Sequence, residues 1–247
     1  MVDNRPFLTF GCMPNLETMR YHSIFDVIGH VMVGPSSSHT AGACRIAFVA
    51  RLLHGHTPSN VKIGLHGSFA VTYQGHGTDL AILAGLLGIP PDDERISRAR
   101  EIADEQGMVY KFETVDLGPD YHPNTVVLDM ENGDESVNGH KGKLTVIGSS
   151  IGGGNIIIKE INGLEAGFTG EFPTLVIVNH DRVGVIAKIS DTISKYKINI
   201  GTMKLDRDMH KKIGLCWMEL DSHVPDELID ALQQIPDIIM VRFIDID

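Results

Sequence analysis

The chain is short of cysteine, with only Cys12, Cys44 and Cys216 among 247 residues. These stand 32 and 172 residues apart, form no CxxC pair and join no histidine cluster at metal-ligand spacing. A disulfide framework is excluded, as is a zinc or iron–sulfur site built from this chain alone, and the expected set of metal ligands is none. Positive charge is also scarce. With 21 Lys+Arg against 32 Asp+Glu the formal net charge is −11, which excludes the concentrated basic field that a non-specific nucleic-acid or membrane-surface binder needs. No segment approaches the roughly 20 apolar residues that span a bilayer. The opening MVDNRPFLTFGCMPNLET lacks the basic start and sustained apolar run of a secretory signal. A reduced, cytoplasmic compartment is expected.

What is present is an ordinary globular composition, 43% hydrophobic and 21% charged, long enough for one large or two modest domains. Residues 1–18 carry no period, and Met19 stands just before the first patterned segment, so 1–18 are expected to be a leader or an added extension. From Thr40 to Leu53 apolar residues recur at helical spacing behind a Pro-Ser-Ser-Ser-His-Thr run. Between Val61 and Tyr73 apolar residues fall on odd positions, which predicts a half-buried strand or a bent pair of strands. Gly75-His76-Gly77-Thr78-Asp79 then opens a helix, with Thr78 as its expected N-cap and Gly88 as its C-cap. A third, more exposed helix follows Pro90-Pro91. From Met108 onward strand signals dominate, punctuated by Asn-Gly pairs that predict hairpins. Residues 19–167 thus read as an α+β domain with two or three helices on a mostly antiparallel sheet. Residues 168–172 form a linker, and 173–247 follow a ferredoxin-like βαββαβ order.

Three places carry candidate chemistry. At Ser36-Ser37-Ser38-His39-Thr40 a helix start brings free N–H groups together with hydroxyls and an imidazole, suited to a small carboxylate and to proton movement near neutral pH. Four hydroxyls around a histidine exceed what capping requires. His76, Thr78 and Asp79 repeat the theme at the next helix start, where plain capping explains them as well. Asn179-His180-Asp181-Arg182-Val183-Gly184 joins a strand to a helix and reads either as an amino-acid-sized pocket at a chain interface or as a well-capped loop. Gly152-Gly153-Gly154 reads either as a close-approach loop or as a tight bend between strands. His54, His56, His122, His140, His210 and His223 are expected at the surface.

IFDVIGHVMVGPSSSHTAGACRIA, with GSFAVTYQGHGTDLAILAGLLG and SSIGGG, resembles the β chain of the bacterial iron–sulfur-dependent L-serine dehydratases (L-serine ammonia-lyases). Residues 173–247, headed by TLVIVNHDRVGVIAKI, are similar to ACT domains, and the first domain also resembles the allosteric substrate-binding domain of some phosphoglycerate dehydrogenases. The resemblance implies deamination of L-serine to pyruvate and ammonia at a [4Fe–4S] cluster held by cysteines of a separate α chain, without pyridoxal phosphate. It makes His39 the leading catalytic candidate. Ser37, Ser38, Thr40, His76, Thr78 and Asp79 become substrate-binding candidates, and Asn179, Asp181 and Gly184 match an effector loop. ACT domains commonly pair, so self-association is expected; the alternative is that their apolar strands pack on the first domain of the same chain. A non-catalytic serine-binding sensor acting on another partner stays open beside the enzyme.

Overall fold

The computed structural model describes residues 32–131 and 142–246. The expected leader, the start of the first patterned segment, Cys12, His140 and the first Asn-Gly hairpin lie outside these residues.

Two sheets organise the chain. A six-stranded sheet has the order β2-β1-β3-β4-β5-β6, built from β1 (Asn60–Leu65), β2 (Val109–Thr114), β3 (Thr125–Glu131), β4 (Lys143–Gly152), β5 (Asn155–Ile161) and β6 (Leu164–Phe168). All neighbours are antiparallel except β1 and β2, whose parallel pairing needs a crossover. That crossover carries α2 (Gly67–Thr72), α3 (Thr78–Leu86) and α4 (Ala99–Glu105). The second sheet, β10-β7-β9-β8, uses β7 (Thr174–His180), β8 (Ile200–Asp208), β9 (Ile213–Leu220) and β10 (Ile238–Ile244), with α5 (Val185–Lys195) and α6 (Asp226–Gln233) between them. This is the βαββαβ order read from the sequence. The fold is α+β throughout.

Helix α1 (Gly42–His54) is the centre of the molecule. Its Ala43, Cys44, Ile46, Ala47, Val49, Ala50 and Leu53 are wholly buried. They share one core with the six-stranded sheet, with α3 and with Val176, Val178, Leu215, Trp217, Met240 and Ile244 of the second sheet. The opposite face of that second sheet, Leu175, Ile177, Cys216, Met218 and Val241, is covered by α5 and α6. Alternate residues of β7 therefore serve two cores, as a strand's period of two requires. One face of the ferredoxin-like unit is packed on the first domain of its own chain, the alternative that stood beside self-association. Arg242 of β10 completes the join, its Nε donating to Leu53 O at the end of α1 over 3.0 Å.

Three sequence readings need correction. The alternation from Val61 to Tyr73 is not strand throughout, because β1 stops at Leu65 and α2 begins at Gly67. Gly67 turns the chain at φ +56°, where a Cβ would lie 2.7 Å from Pro123 O. Beyond it, Phe69 and Tyr73 are four residues apart on one helix face, and Val71 points to solvent, 84% exposed. Second, Gly77 rather than Thr78 is the N-cap of α3. A left-handed Gly77 (φ +65°) lets the Thr78 N–H return to Tyr73 O, so Thr78 enters the helix fully buried. Third, His54 is not at the surface. The second sheet closes over the end of α1 and leaves it fully buried, its Nδ1 3.0 Å from His56 O.

Turn chemistry behaves as read elsewhere. Asn162 and Gly163 take φ +52° and +80° between β5 and β6, and Gly152-Gly153-Gly154 is a tight bend between β4 and β5.

Candidate functional site

Before α1 the chain winds one π turn, Ser37–Ala41, a distortion that recurs at functional sites. Ser36 caps it: its Oγ accepts from the His39 N–H at 3.1 Å, and its carbonyl accepts from the Thr40 N–H at 2.9 Å. With the main chain fixed, the His39 ring is held on both nitrogens. Nδ1 lies 3.0 Å from Ser38 Oγ, and Nε2 lies 3.0 Å from Ser68 Oγ. Ser38 Oγ is in turn 3.4 Å from Ser36 Oγ. The Phe69 ring meets the imidazole edge to face at 5.3 Å, and the His76 ring lies 4.9 Å away.

Thr40 ties this turn to the Gly75–Gly77 loop, its hydroxyl donating to His76 O at 3.1 Å. Its methyl fills the space in front of Gly34, where a Cβ would come within 2.5 Å. Ser37 contributes its carbonyl, which accepts the Gly42 N–H. His76, Ser38 and Thr40 thus gather around His39, drawn from two segments that are 36 residues apart in sequence.

Asp79 faces a different neighbour. Its carboxylate is held by Arg100 of α4 at 2.6 Å, anchoring the crossover helices to one another. Thr78 is buried beneath the loop, and its Oγ1 has no hydrogen-bond partner among the described residues. Ser68 is the residue that sequence reasoning missed, since a strand reading made it one more polar even position. The signal was Gly67, a residue suited to breaking a strand and starting a helix.

Burial holds the His39 imidazole below its ordinary pKa of 6.5, and the neighbouring His76 adds to the effect. At neutral pH His39 is uncharged, with one lone pair and one N–H. Such a ring accepts a proton more readily than it pairs with a carboxylate as a cation.

In the second unit, Asn179, next to last in β7, is nearly buried, its Nδ2 donating to His180 O at 2.8 Å, while Oδ1 has no partner among the described residues. Asp181 lies 3.4 Å from Arg207, and Gly184 caps α5 at φ +87°. Among the described residues no three His, Cys, Asp or Glu side chains are grouped to hold a metal ion. Burial pushes the thiols of Cys44 and Cys216 up to about 12 and about 11, so neither is a ready thiolate. No described helix is long and apolar enough to cross a membrane.

Comparison with known proteins gives a consistent picture. The family model described as serine dehydratase beta chain matches residues 23–161. A probable L-serine dehydratase beta chain of Bacillus subtilis is 43% identical over 223 residues, 90% of this chain and 98% of that one. The L-serine dehydratase beta chain of Peptoniphilus asaccharolyticus is 39% identical over 230 residues, 92% of this chain and all of that one. A D-3-phosphoglycerate dehydrogenase of Bacillus subtilis is 28% identical over 171 residues, 67% of this chain and 30% of that one. Among solved structures, the ACT domain from GTP pyrophosphokinase of Chlorobium tepidum is 26% identical with a TM-score of 0.25, covering 29% of this chain and 94% of that one.

Proposed function

The chain belongs to the serine dehydratase beta chain family, and from that membership we propose that it is the β subunit of an L-serine dehydratase whose active site is completed by His39. The observation that carries the proposal is the His39 imidazole held at the mouth of α1 with a hydroxyl 3.0 Å from each ring nitrogen. L-Serine loses its α proton and its hydroxyl group as water, and the resulting aminoacrylate tautomerises to an imine that hydrolyses to pyruvate and ammonia. His39 serves as the acceptor of a proton in that sequence. Ser37 and Ser38, at the start of α1, orient the substrate carboxylate, helped by the positive end of the helix, and Thr40, first read as a third such group, holds the Gly75–Gly77 loop beside them through His76 O. His76 borders the same space. Thr78 and Asp79 support the loop from below rather than touching substrate.

Hydroxide is a poor leaving group. A [4Fe–4S] cluster on the cysteines of a separate α chain would, when bound, supply a Lewis-acidic iron for its departure. Pyridoxal phosphate has no place in this scheme. Asn179, Asp181 and Gly184 form the mouth of an effector site for an amino acid, and the free edge strand β8, with Met203 and Leu205 exposed, is the surface for self-association.

The test is anaerobic co-expression with a cysteine-bearing α chain and assay of pyruvate from L-serine. His39→Ala is expected to lower kcat by about 10²-fold or more while its melting temperature stays at the wild-type value. Near-wild-type turnover would remove His39 from the site. A second reading, a serine-binding regulator without catalysis, draws on the Asn179 Oδ1, which has no hydrogen-bond partner among the described residues. It would prevail if the assembled wild-type pair formed no pyruvate yet bound L-serine.

A further inference from the structure

His39 has its two hydroxyl partners from unrelated sources. Ser38 is its neighbour in sequence and moves with the π turn. Ser68 comes from α2 and is fixed independently of that turn. The Ser68 N–H donates to Pro123 O at 2.8 Å, and its carbonyl accepts from Thr72 Oγ1 at 2.8 Å. Gly67, directly before it, is packed so closely on Pro123 that no side chain would fit there. Phe69, directly after it, is wholly buried and presents its ring to the imidazole. The Ser68 hydroxyl is therefore a fixed post, 3.0 Å from Nε2.

A neutral imidazole can turn about its χ2 bond and can carry its proton on either nitrogen. The Ser38 contact alone does not select between these states, because its hydroxyl travels with the turn and can donate or accept. A second hydroxyl on the opposite nitrogen, carried by an independently anchored backbone, restricts the ring to one plane. We propose that Ser68 is a positioning residue for His39, fixing the orientation in which the imidazole meets the substrate. The inference rests on the reading of His39 as the proton acceptor and adds to it the group that prepares that side chain.

The experiment compares wild type, Ser68→Ala, Ser68→Thr and His39→Ala as full chains, each also assembled with the α chain. Nitrogen-15 NMR of histidine-labelled chain reads the surroundings of the His39 ring nitrogens without any turnover, and steady-state kinetics on L-serine reads the consequence. Ser68→Ala is expected to move the Nε2 resonance of His39 and to lower kcat about 10-fold with KM within about 2-fold, the pattern of a misplaced catalytic group. Ser68→Thr, which keeps the hydroxyl, restores both readouts. A Ser68→Ala chain with wild-type ring-nitrogen shifts or wild-type kcat, beside an inactive His39→Ala, sinks the role of Ser68 alone. An active His39→Ala sinks the reading of His39 and this inference with it.

Discussion

Substituting Gly85 with alanine sets two physical effects against each other, and the structure decides which prevails. Gly85 lies in α3, where alanine is the better helix former by about 1 kcal/mol. Yet α3 crosses α1 at this residue. A Cβ would stand 2.3 Å from Cys44 O, 2.7 Å from Phe48 N and 2.8 Å from Ala47 Cβ. Two of those three atoms are backbone, so no rotamer change relieves the contact and the helices must part by roughly 1 Å to regain van der Waals distance. Overpacking of this kind costs about 3 kcal/mol at the upper end of its usual range. The net expectation is destabilisation of about 2 kcal/mol, which for a chain of this size lowers the melting temperature by about 4–8 °C. Gly107→Ala is the control. Its Cβ would meet nothing within 4 Å but must adopt φ +71°, a conformational cost of about 1 kcal/mol without any clash. Differential scanning calorimetry of the three proteins provides the measurement. A Gly85→Ala chain that melts at or above wild type would refute the assignment of close helix approach at this residue.

Acidification should destabilise the chain early. His39, His54 and His122 are all held below the ordinary 6.5, in each case chiefly by burial. The unfolded chain therefore takes up protons before the folded one, and their contribution is complete above about pH 6.5 and declines as pH falls toward the folded values. The urea midpoint should be lower at pH 5.5 than at pH 7.5, and an equal or higher midpoint contradicts the burial of His54 above all. For self-association, the whole chain should sediment as a dimer in the presence of L-serine and revert to monomer on Leu205→Lys. A monomer at every concentration, with or without L-serine, removes the β8 edge as an interface.

The sequence made most of this architecture legible because its periods are long and cleanly punctuated. The ferredoxin-like unit was readable since each of its strands and helices is bounded by turn residues. The helix behind Ser-Ser-Ser-His-Thr was readable from its apolar spacing. Failure came at α2, where six residues of helix have too few turns to show their own period, and Phe69 and Tyr73 fit a spacing of two as well as one of four. That error hid Ser68, because a residue assigned to a strand points away from a helix mouth. His54 was misplaced for another reason: the end of α1 is closed off by the second sheet, whose Arg242 binds Leu53 O, and local patterning carries no record of a contact made 189 residues away. Thr78 shows the converse limit, a favoured capping residue displaced by the glycine before it, whose left-handed geometry no propensity scale weighs.

The Arg242 contact also has a history written in the order of synthesis. The last turn of α1 emerges early, yet the guanidinium that satisfies Leu53 O is encoded 189 residues later, on the final strand. At roughly 5–20 residues per second that carbonyl waits about 10–40 s for its partner on the ribosome. Throughout that interval the apolar residues of α1 that will meet β10 face water, and the opposite end of the same helix carries His39. The nascent chain thus carries His39 ahead of a helix whose far end is not yet seated against β10.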